Sequence, residues 1–222
     1  METYHKIQTL FKRHLDGPKK GKMIKGAWTT PELEYLAGNQ WTFSSKVDGT
    51  NIRVSRFGKS VEFGGRTDRA IIPKPLMQHL EETFTTELFD SADLDNVILF
   101  GEGYGPGIQN GGNYRDTVSF TLFDVKVGEW WLSRENVADV GSKLDIDVVP
   151  EIGRGTLYDA IDIVSTGITF TETGAIKRWG PGYLKSQWGA FPEEGIVARP
   201  IVDLFDRNGQ RIITKIKSVD FK

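Results

Sequence analysis

The dipeptide Asp48-Gly49 constrains this chain more than any other two residues, because it lies between two runs that read as β-strands. Trp41-Thr42-Phe43 precedes it and Ile52-Arg53-Val54-Ser55-Arg56-Phe57 follows it. Glycine accepts positive φ without steric penalty, and Asp-Gly between strand-like runs is a strong hairpin signal. The expectation is a β-hairpin. Side chains two apart in a strand share a face. Lys46 and Asp48 are then expected to point one way, with Asn51 and Arg53 sharing a face beside them. An amine, a carboxylate, an amide and a guanidinium would surround one small volume.

The remaining pattern is mixed. Ile7, Leu10 and Phe11 give residues 1–14 an amphipathic helical spacing. Gly17-Pro18-Lys19-Lys20-Gly21-Lys22 reads as a loop. It is not a phosphate-binding P-loop: the spacing is one residue short, and no Ser or Thr follows the lysine. Ser60-Val61-Glu62-Phe63 reads as a strand, and Gly64-Gly65 permits a bulge or a close backbone approach beside Arg66. Leu76, Leu80, Phe84 and Leu88 predict one helix over residues 75–90. Val97-Ile98-Leu99-Phe100 reads as a buried strand that delivers Glu102 at its end into glycine-dense chain. Val118 to Val127 is a further strand, turning through Val127-Gly128 to pair with Glu129-Trp130-Trp131-Leu132. Ser133 and Thr156 are candidate helix caps, and Gly167 a stop. Residues 168–192 hold no clear element, and Trp179-Gly180-Pro181-Gly182-Tyr183 reads as an ordered loop or a substrate-facing insert. Glu194 leads the strand Gly195-Ile196-Val197-Ala198-Arg199, and Ile212 to Lys217 is the last strand, with Lys215 and Lys217 on one face.

The chain has 222 residues, 38% hydrophobic and 26% charged. That fits one ordinary domain with a sizeable core. It has no cysteine, so disulfides, thiolate catalysis and Cys-ligated metals are excluded. No apolar run approaches a membrane span and the start lacks a signal peptide's apolar segment, so the expectation is a soluble, cytoplasmic protein. The net charge of −2 names no partner, but its distribution is uneven. Residues 6–26 hold Lys6, Lys12, Arg13, Lys19, Lys20, Lys22 and Lys25 against the single acid Asp16. Residues 207–222 hold Arg207, Arg211, Lys215, Lys217 and Lys222 against Asp220, while residues 81–95 hold Glu81, Glu82, Glu87, Asp90, Asp93 and Asp95 with no Lys or Arg. Segregation of this kind suits one polyanion-facing side.

Several separated pieces, in order, resemble the ATP-dependent RNA ligases, most closely the phage-type nick-sealing group of the covalent nucleotidyltransferases. They are Lys46-Val47-Asp48-Gly49-Thr50-Asn51, Gly65-Arg66-Thr67, Phe100-Gly101-Glu102 with Gly105-Pro106-Gly107-Ile108-Gln109, Phe123-Asp124, Glu194 to Arg199, and Lys215-Ile216-Lys217. The resemblance implies an α+β fold of two twisted, mostly antiparallel sheets with flanking helices and the ligand between the sheets. Many relatives carry a further C-terminal domain; here the expectation departs from them, with one adenylation domain over residues 1–222 and no separate C-terminal domain. The resemblance also implies the chemistry. Lys46 attacks ATP and carries AMP, the AMP passes to an RNA 5′-phosphate, and a 3′-hydroxyl displaces it.

By the same resemblance Glu194 holds a divalent ion, Mg²⁺ or Mn²⁺. Glu102 takes the ribose hydroxyls, Phe123 stacks on adenine, and Lys215 and Lys217 neutralise phosphates. Asp48, Asn51, Arg53 and Arg66 complete the nucleotide contacts. A free lysine titrates near pH 10.4, so the nucleophile needs help to lose its proton, and Arg53, Lys215 and Lys217 are candidates to supply a cationic field. The expected partners are ATP and RNA, with no membrane, for a monomer. An mRNA-capping guanylyltransferase or a DNA ligase would use the same lysine chemistry, and a non-catalytic nucleotide- or RNA-binding relative would keep the same motifs.

Overall fold

The hairpin does not form. The computed structural model describes residues 1–170, 176–178, 186–189 and 191–222. In chain order its strands are β1 (Gln8–Thr9), β2 (Phe11–Arg13), β3 (Met23–Trp28), β4 (Trp41–Ser45), β5 (Thr50–Phe57), β6 (Ser60–Gly65), β7 (Val97–Tyr104), β8 (Ser119–Val127), β9 (Trp130–Trp131), β10 (Asp147–Val148), β11 (Glu151–Gly155), β12 (Ile168–Phe170), β13 (Ile176–Arg178), β14 (Gly195–Pro200) and β15 (Thr214–Lys217). The helices are α1 (Pro31–Tyr35), α2 (Lys74–Thr83), α3 (Thr86–Ser91), α4 (Arg134–Lys143) and α5 (Leu157–Thr166). The fold is mixed α+β.

The strands flanking Asp48-Gly49 enter different sheets. β4 pairs with β14 on one edge and β11 on the other. β5 pairs with β6 and β7. Both edges of both strands are therefore taken. The reason is burial: Trp41 and Phe43 of β4 join one apolar core, and Ile52 and Val54 of β5 join another. Gly49 is needed for a close approach rather than for a turn. A Cβ there would stand 2.3 Å from the Gly103 carbonyl oxygen and 2.9 Å from Glu102 Cγ.

The described residues divide into two compact units that interleave along the chain. The first comprises Met1–Tyr4 and Val47–Val149. Its sheet runs β10-β8-β7-β5-β6, with β9 added on β8. All pairings are antiparallel except β10 with β8. Leu76 and Leu80 of α2, Phe89 of α3 and Val137 and Val140 of α4 supply its core with Ile52, Val54, Leu99 and Leu122. The second comprises His5–Lys46 and Pro150–Lys222. Its sheet runs β1-β15-β14-β4-β11, antiparallel except for β1 with β15. Leu157, Ala160 and Val164 of α5 pack into its core with Trp41, Phe43, Ile196, Ala198 and Ile216.

Two further expectations need correction. Residues 1–14 hold β1 and β2 rather than a helix. β1 pairs with β15 and β2 with β3, so long-range ladders override the local spacing, and Leu10 and Phe11 still reach the core. The single helix over 75–90 is two, α2 and α3. Phe84 leaves the helical region at φ −100° and ψ 77°, and the Thr85 side chain then caps α3 by accepting from the Leu88 amide. The caps at Ser133 and Thr156 form as read, and Gly167 stops α5 at a left-handed φ of 66°. β9 returns on β8 through Gly128, as expected. Trp179-Gly180-Pro181-Gly182-Tyr183 lies outside the described residues.

Candidate active site

In the second unit, one carboxylate gathers two of the expected lysines. Lys46 follows β4, and its amide donates to the Gly195 carbonyl at 3.0 Å. Glu194 sits just before β14, and Lys217 ends β15 directly opposite Gly195. The Lys46 ammonium donates to Glu194 Oε2 at 2.5 Å, and the Lys217 ammonium donates to Oε1 at 2.7 Å. The Lys46, Glu194 and Lys217 side chains keep partial exposure, at 20%, 15% and 31%. Gly195 makes this approach possible. Its φ is 156°, and a Cβ there would stand 2.0 Å from the Ile216 carbonyl oxygen and 2.8 Å from Lys217 Cα. Lys215 shares the Lys217 face of β15 and is half-buried, while Ile216 on the other face joins the core.

The neighbouring Glu193 has the opposite environment. It is 2% exposed, and its Oε1 accepts from the Ser45 hydroxyl. Burial pushes its carboxyl up to about 7, against the downward pull of the polar groups of Ser45, Ser186 and the Gln187 backbone, and the nearby Glu194 charge adds to the rise. Successive residues of an extended chain point to opposite sides. One glutamate is therefore packed inward while the next meets the lysines.

In the first unit, Asn51 of β5 and Glu102 of β7 are directly opposite partners, and Thr121 of β8 lies opposite Glu102 on its other side. Glu102 sits inside its strand rather than at the end, because β7 continues to Tyr104. The two glycines around Glu102 are packed against neighbours: a Cβ at Gly101 would meet the Phe120 ring at 2.1 Å, and one at Gly103 would meet Leu76 at 2.4 Å. Among the described residues, Asn51 Oδ1 is buried with no hydrogen-bond partner. A buried acceptor without a donor costs about 1–3 kcal/mol, and no described residue supplies one to this amide.

Phe123 sits where the β7–β8 register slips, between the pairs Phe100 with Asp124 and Gly101 with Leu122. It stays partly exposed and stands edge-on to Tyr4, with ring centres 5.1 Å apart. Tyr4 donates to Asp124 Oδ2 at 2.7 Å. Sequence reading missed Tyr4, since nothing local marks a residue 120 positions away as a partner. It also missed Tyr114 and Asn110: the Asp48 amide donates to the Tyr114 hydroxyl at 3.1 Å, and Asn110 Nδ2 donates to Asp48 Oδ2 at 2.5 Å. Arg66 lies just past β6 and is exposed.

Arg53 is turned to a different task. It is fully buried, and its donors serve its own unit. Nε donates to the Gly65 carbonyl at 2.7 Å, Nη1 to the carbonyls of Met1 and Glu2 at 2.9 and 3.0 Å, and Nη2 to Asp68 at 2.9 Å. Gly64 makes room for the guanidinium, since a Cβ there would stand 2.8 Å from Nη2. Of the four residues expected around one volume, Lys46 belongs to one unit and Asp48, Asn51 and Arg53 to the other, and the Arg53 guanidinium is committed to main chain and Asp68.

A sequence model described as RNA ligase matches residues 39–217, most of the chain. The chain belongs to the RNA ligase family. The solved structures it resembles include Naegleria gruberi RNA ligase with pyrophosphate, at 17% identity and a TM-score of 0.59, covering 98% of this chain and 62% of that one. A lysine-to-alanine variant of the same enzyme with ATP and Mn aligns at 15% identity and a TM-score of 0.60, over 99% of this chain and 61% of that one. A glutamate-to-alanine variant with AMP and Mn aligns at 17% identity and a TM-score of 0.58, over 86% and 53%. At these identities the likeness shows a shared fold. The chain spans roughly half to three-fifths of the length of these ligases.

Among the described residues, no group of three or more His, Asp or Glu is gathered for a metal. The donor set at Glu194 is one partly exposed carboxylate flanked by two ammonium groups. That suits an ion which takes one or two carboxylates and completes its shell with phosphate oxygens and water. No described helix is long and apolar enough to cross a membrane.

Proposed function

We propose that this RNA ligase family member joins RNA 3′-hydroxyl and 5′-phosphate ends with consumption of ATP, through AMP carried on Lys46. The observation that carries the reading is the Glu194 carboxylate held between the Lys46 and Lys217 ammonium groups. In this reading Lys46 is the nucleophile, Glu194 the carboxylate for a metal and Lys217 a phosphate-neutralising cation, and both lysines contact the one carboxylate. Phosphoryl transfer asks for positioning and charge neutralisation, which these three groups supply. The Naegleria enzyme is described with ATP and Mn, with AMP and Mn, and with pyrophosphate, the set such a cycle would use.

In the first step the Lys46 nitrogen forms a bond to the ATP α-phosphorus, the bond to the bridging oxygen breaks, and pyrophosphate leaves. An RNA 5′-phosphate oxygen next attacks the same phosphorus and frees Lys46. A 3′-hydroxyl then attacks the RNA phosphorus, loses its proton and expels AMP. An amine attacks through its lone pair, so Lys46 must give up its ion pair with Glu194 before the first step. A divalent ion at Glu194, Mg²⁺ or Mn²⁺, would neutralise charge on the phosphates when bound. Lys215 and Lys217 act on the same phosphates, Glu102 takes ribose hydroxyls, and Phe123 stacks on adenine. Asn51 and Asp48 contact the nucleotide, and the exposed Arg66 reaches its phosphates. Arg53, in this reading, shapes the strand that carries Asn51 and touches no ligand.

The test is incubation with α-labelled ATP or GTP and Mg²⁺, followed by a denaturing gel. Label from ATP should remain on the denatured chain, and Lys46→Arg should remove it, because a guanidinium does not deprotonate usefully near neutral pH. Wild-type label on the Lys46→Arg protein would overturn the assignment.

A further inference from the structure

The cations of residues 6–26 sit on an ordered frame. β2 and β3 pair, and the segment between them is closed by its own main chain. The His14 amide donates to the Lys22 carbonyl at 3.0 Å and the Gly21 amide to the His14 carbonyl at 2.8 Å. Within the loop, the Lys20 amide donates to Gly17 and the Lys22 amide to Lys19. Gly17 and Gly21 take φ of 71° and 79°, the left-handed conformations such a loop needs. Arg13 fastens the frame, donating to the Gly21 carbonyl at 2.7 Å and to Asp220 at 2.5 Å.

The lysines on this frame are used differently from Arg13. Lys12, Lys19, Lys20, Lys22 and Lys25 are all exposed, as is Lys6 ahead of β1. Among the described residues, none of them forms an ion pair or a side-chain hydrogen bond, and the loop's one acid, Asp16, pairs with none of them either. Lysines that stabilise a fold find carboxylates, as Lys126 finds Glu2 and Lys143 finds Asp139 in this same chain. A cluster held in place yet unneutralised repels itself, and a polyanion would relieve that repulsion.

We propose that the β2–β3 hairpin is a binding surface for the RNA phosphate backbone, separate from the nucleotide chemistry. This rests on the RNA ligase reading and extends it by naming where the substrate strand is gripped. The partner is read by its charge: lysines are point-charge phosphate binders, and none of these is placed for base recognition by a fork of donors. An ordered loop also presents its charges at a smaller entropic cost than a free tail would.

The experiment uses the full chain with Lys19, Lys20, Lys22 and Lys25 all changed to Ser, and in parallel the single change Lys20→Glu. Affinity for a 5′-labelled single-stranded oligoribonucleotide and for a nicked RNA duplex is measured across a salt series. Autoadenylylation with labelled ATP is measured on the same proteins. Each lysine–phosphate interaction removed should lower the slope of log affinity against log salt by about 0.7 on a single strand or about 0.9 on a duplex. The fourfold variant should bind RNA at least about tenfold more weakly near 0.1 M salt, with labelling within about twofold of wild type. Lys20→Glu should move affinity the same way. Unchanged affinity and slope would overturn the inference, and so would labelling that falls in parallel with affinity. Failure of the wild-type chain to label with any nucleotide would instead overturn the ligase reading, whatever the hairpin variants do to RNA affinity.

Discussion

Changing Arg53 to Met separates a structural arginine from a nucleotide-binding one. Methionine keeps most of the length and apolar stem but removes the fork of donors. The Gly65 carbonyl lies in buried chain, so removing its donor leaves an acceptor that water reaches poorly, at a cost of about 1–3 kcal/mol. The Met1 and Glu2 carbonyls can return to water by letting the N-terminus lift, which forfeits about 1 kcal/mol for each. Asp68 is 73% exposed and stays solvated without its partner. Removing the buried charge itself recovers some desolvation cost. The expected net loss is about 2–4 kcal/mol, or about 1–2 M urea at a slope near 2 kcal/mol per M. Circular dichroism across a urea series measures it, and hydrogen exchange should show faster exchange at Met1–Tyr4. A midpoint equal to wild type, together with adenylylation down a hundredfold or more, would refute the reasoning and return Arg53 to the nucleotide.

The remaining expectations follow from the same geometry. Glu102→Ala and Lys217→Ala should fold as wild type by circular dichroism yet lose adenylylation by about a hundredfold, the scale for removing one preorganised charged contact; unfolding instead would make these residues structural. Asp68 carries a lowered carboxyl because Arg53 first donates to it and then adds its charge. Its contribution to stability is therefore present above the ordinary carboxylate value near 3.9 and is lost as pH falls through the lower folded value. An NMR titration should find Asp68 below that ordinary value in the wild type and restored to it in Arg53→Met; no difference between the two proteins would deny the pairing.

Short-range signals reported the elements that short-range physics decides. Ser133 and Thr156 cap helices because a hydroxyl beside a helix start meets a free amide wherever the helix is later packed. Val97 to Phe100 is apolar on both faces because β7 lies between β5 and β8 with packing above and below. Asp48-Gly49 misled because a turn signal does not say whether its flanking strands have better partners. β4 had β14, which lies about 150 residues further along, and its Trp41 and Phe43 were claimed by that sheet's core. The strands at residues 8–13 were missed for the same reason, since their ladders are made with β15 and β3. The close backbone approaches beside several candidate residues were legible in the sequence. Glycines mark places where two backbones or a ring must touch, and Gly49, Gly101, Gly103 and Gly195 flank Asp48, Glu102 and Glu194 in the sequence itself. Arg53 carried no such mark, and a buried arginine fastened to the N-terminus cannot be told from a ligand contact by its place in a strand.

Glu193 and Glu194 show how little separates packing from chemistry. Both are glutamates at the entrance to one strand, and composition treats them alike. Alternation alone says that they must part, one to each side of the chain. It does not say which side holds the lysines. Gly195 decides it: the absence of a Cβ lets β14 begin hard against Ile216 and Lys217, and the carboxylate immediately before that close approach is the one within reach of the Lys217 and Lys46 ammonium groups. The other carboxylate turns inward to the Ser45 hydroxyl, where burial raises it to about 7 and makes it a poor anchor for a cation. The carboxylate that meets the two lysines is thus specified by the residue that has no side chain at all.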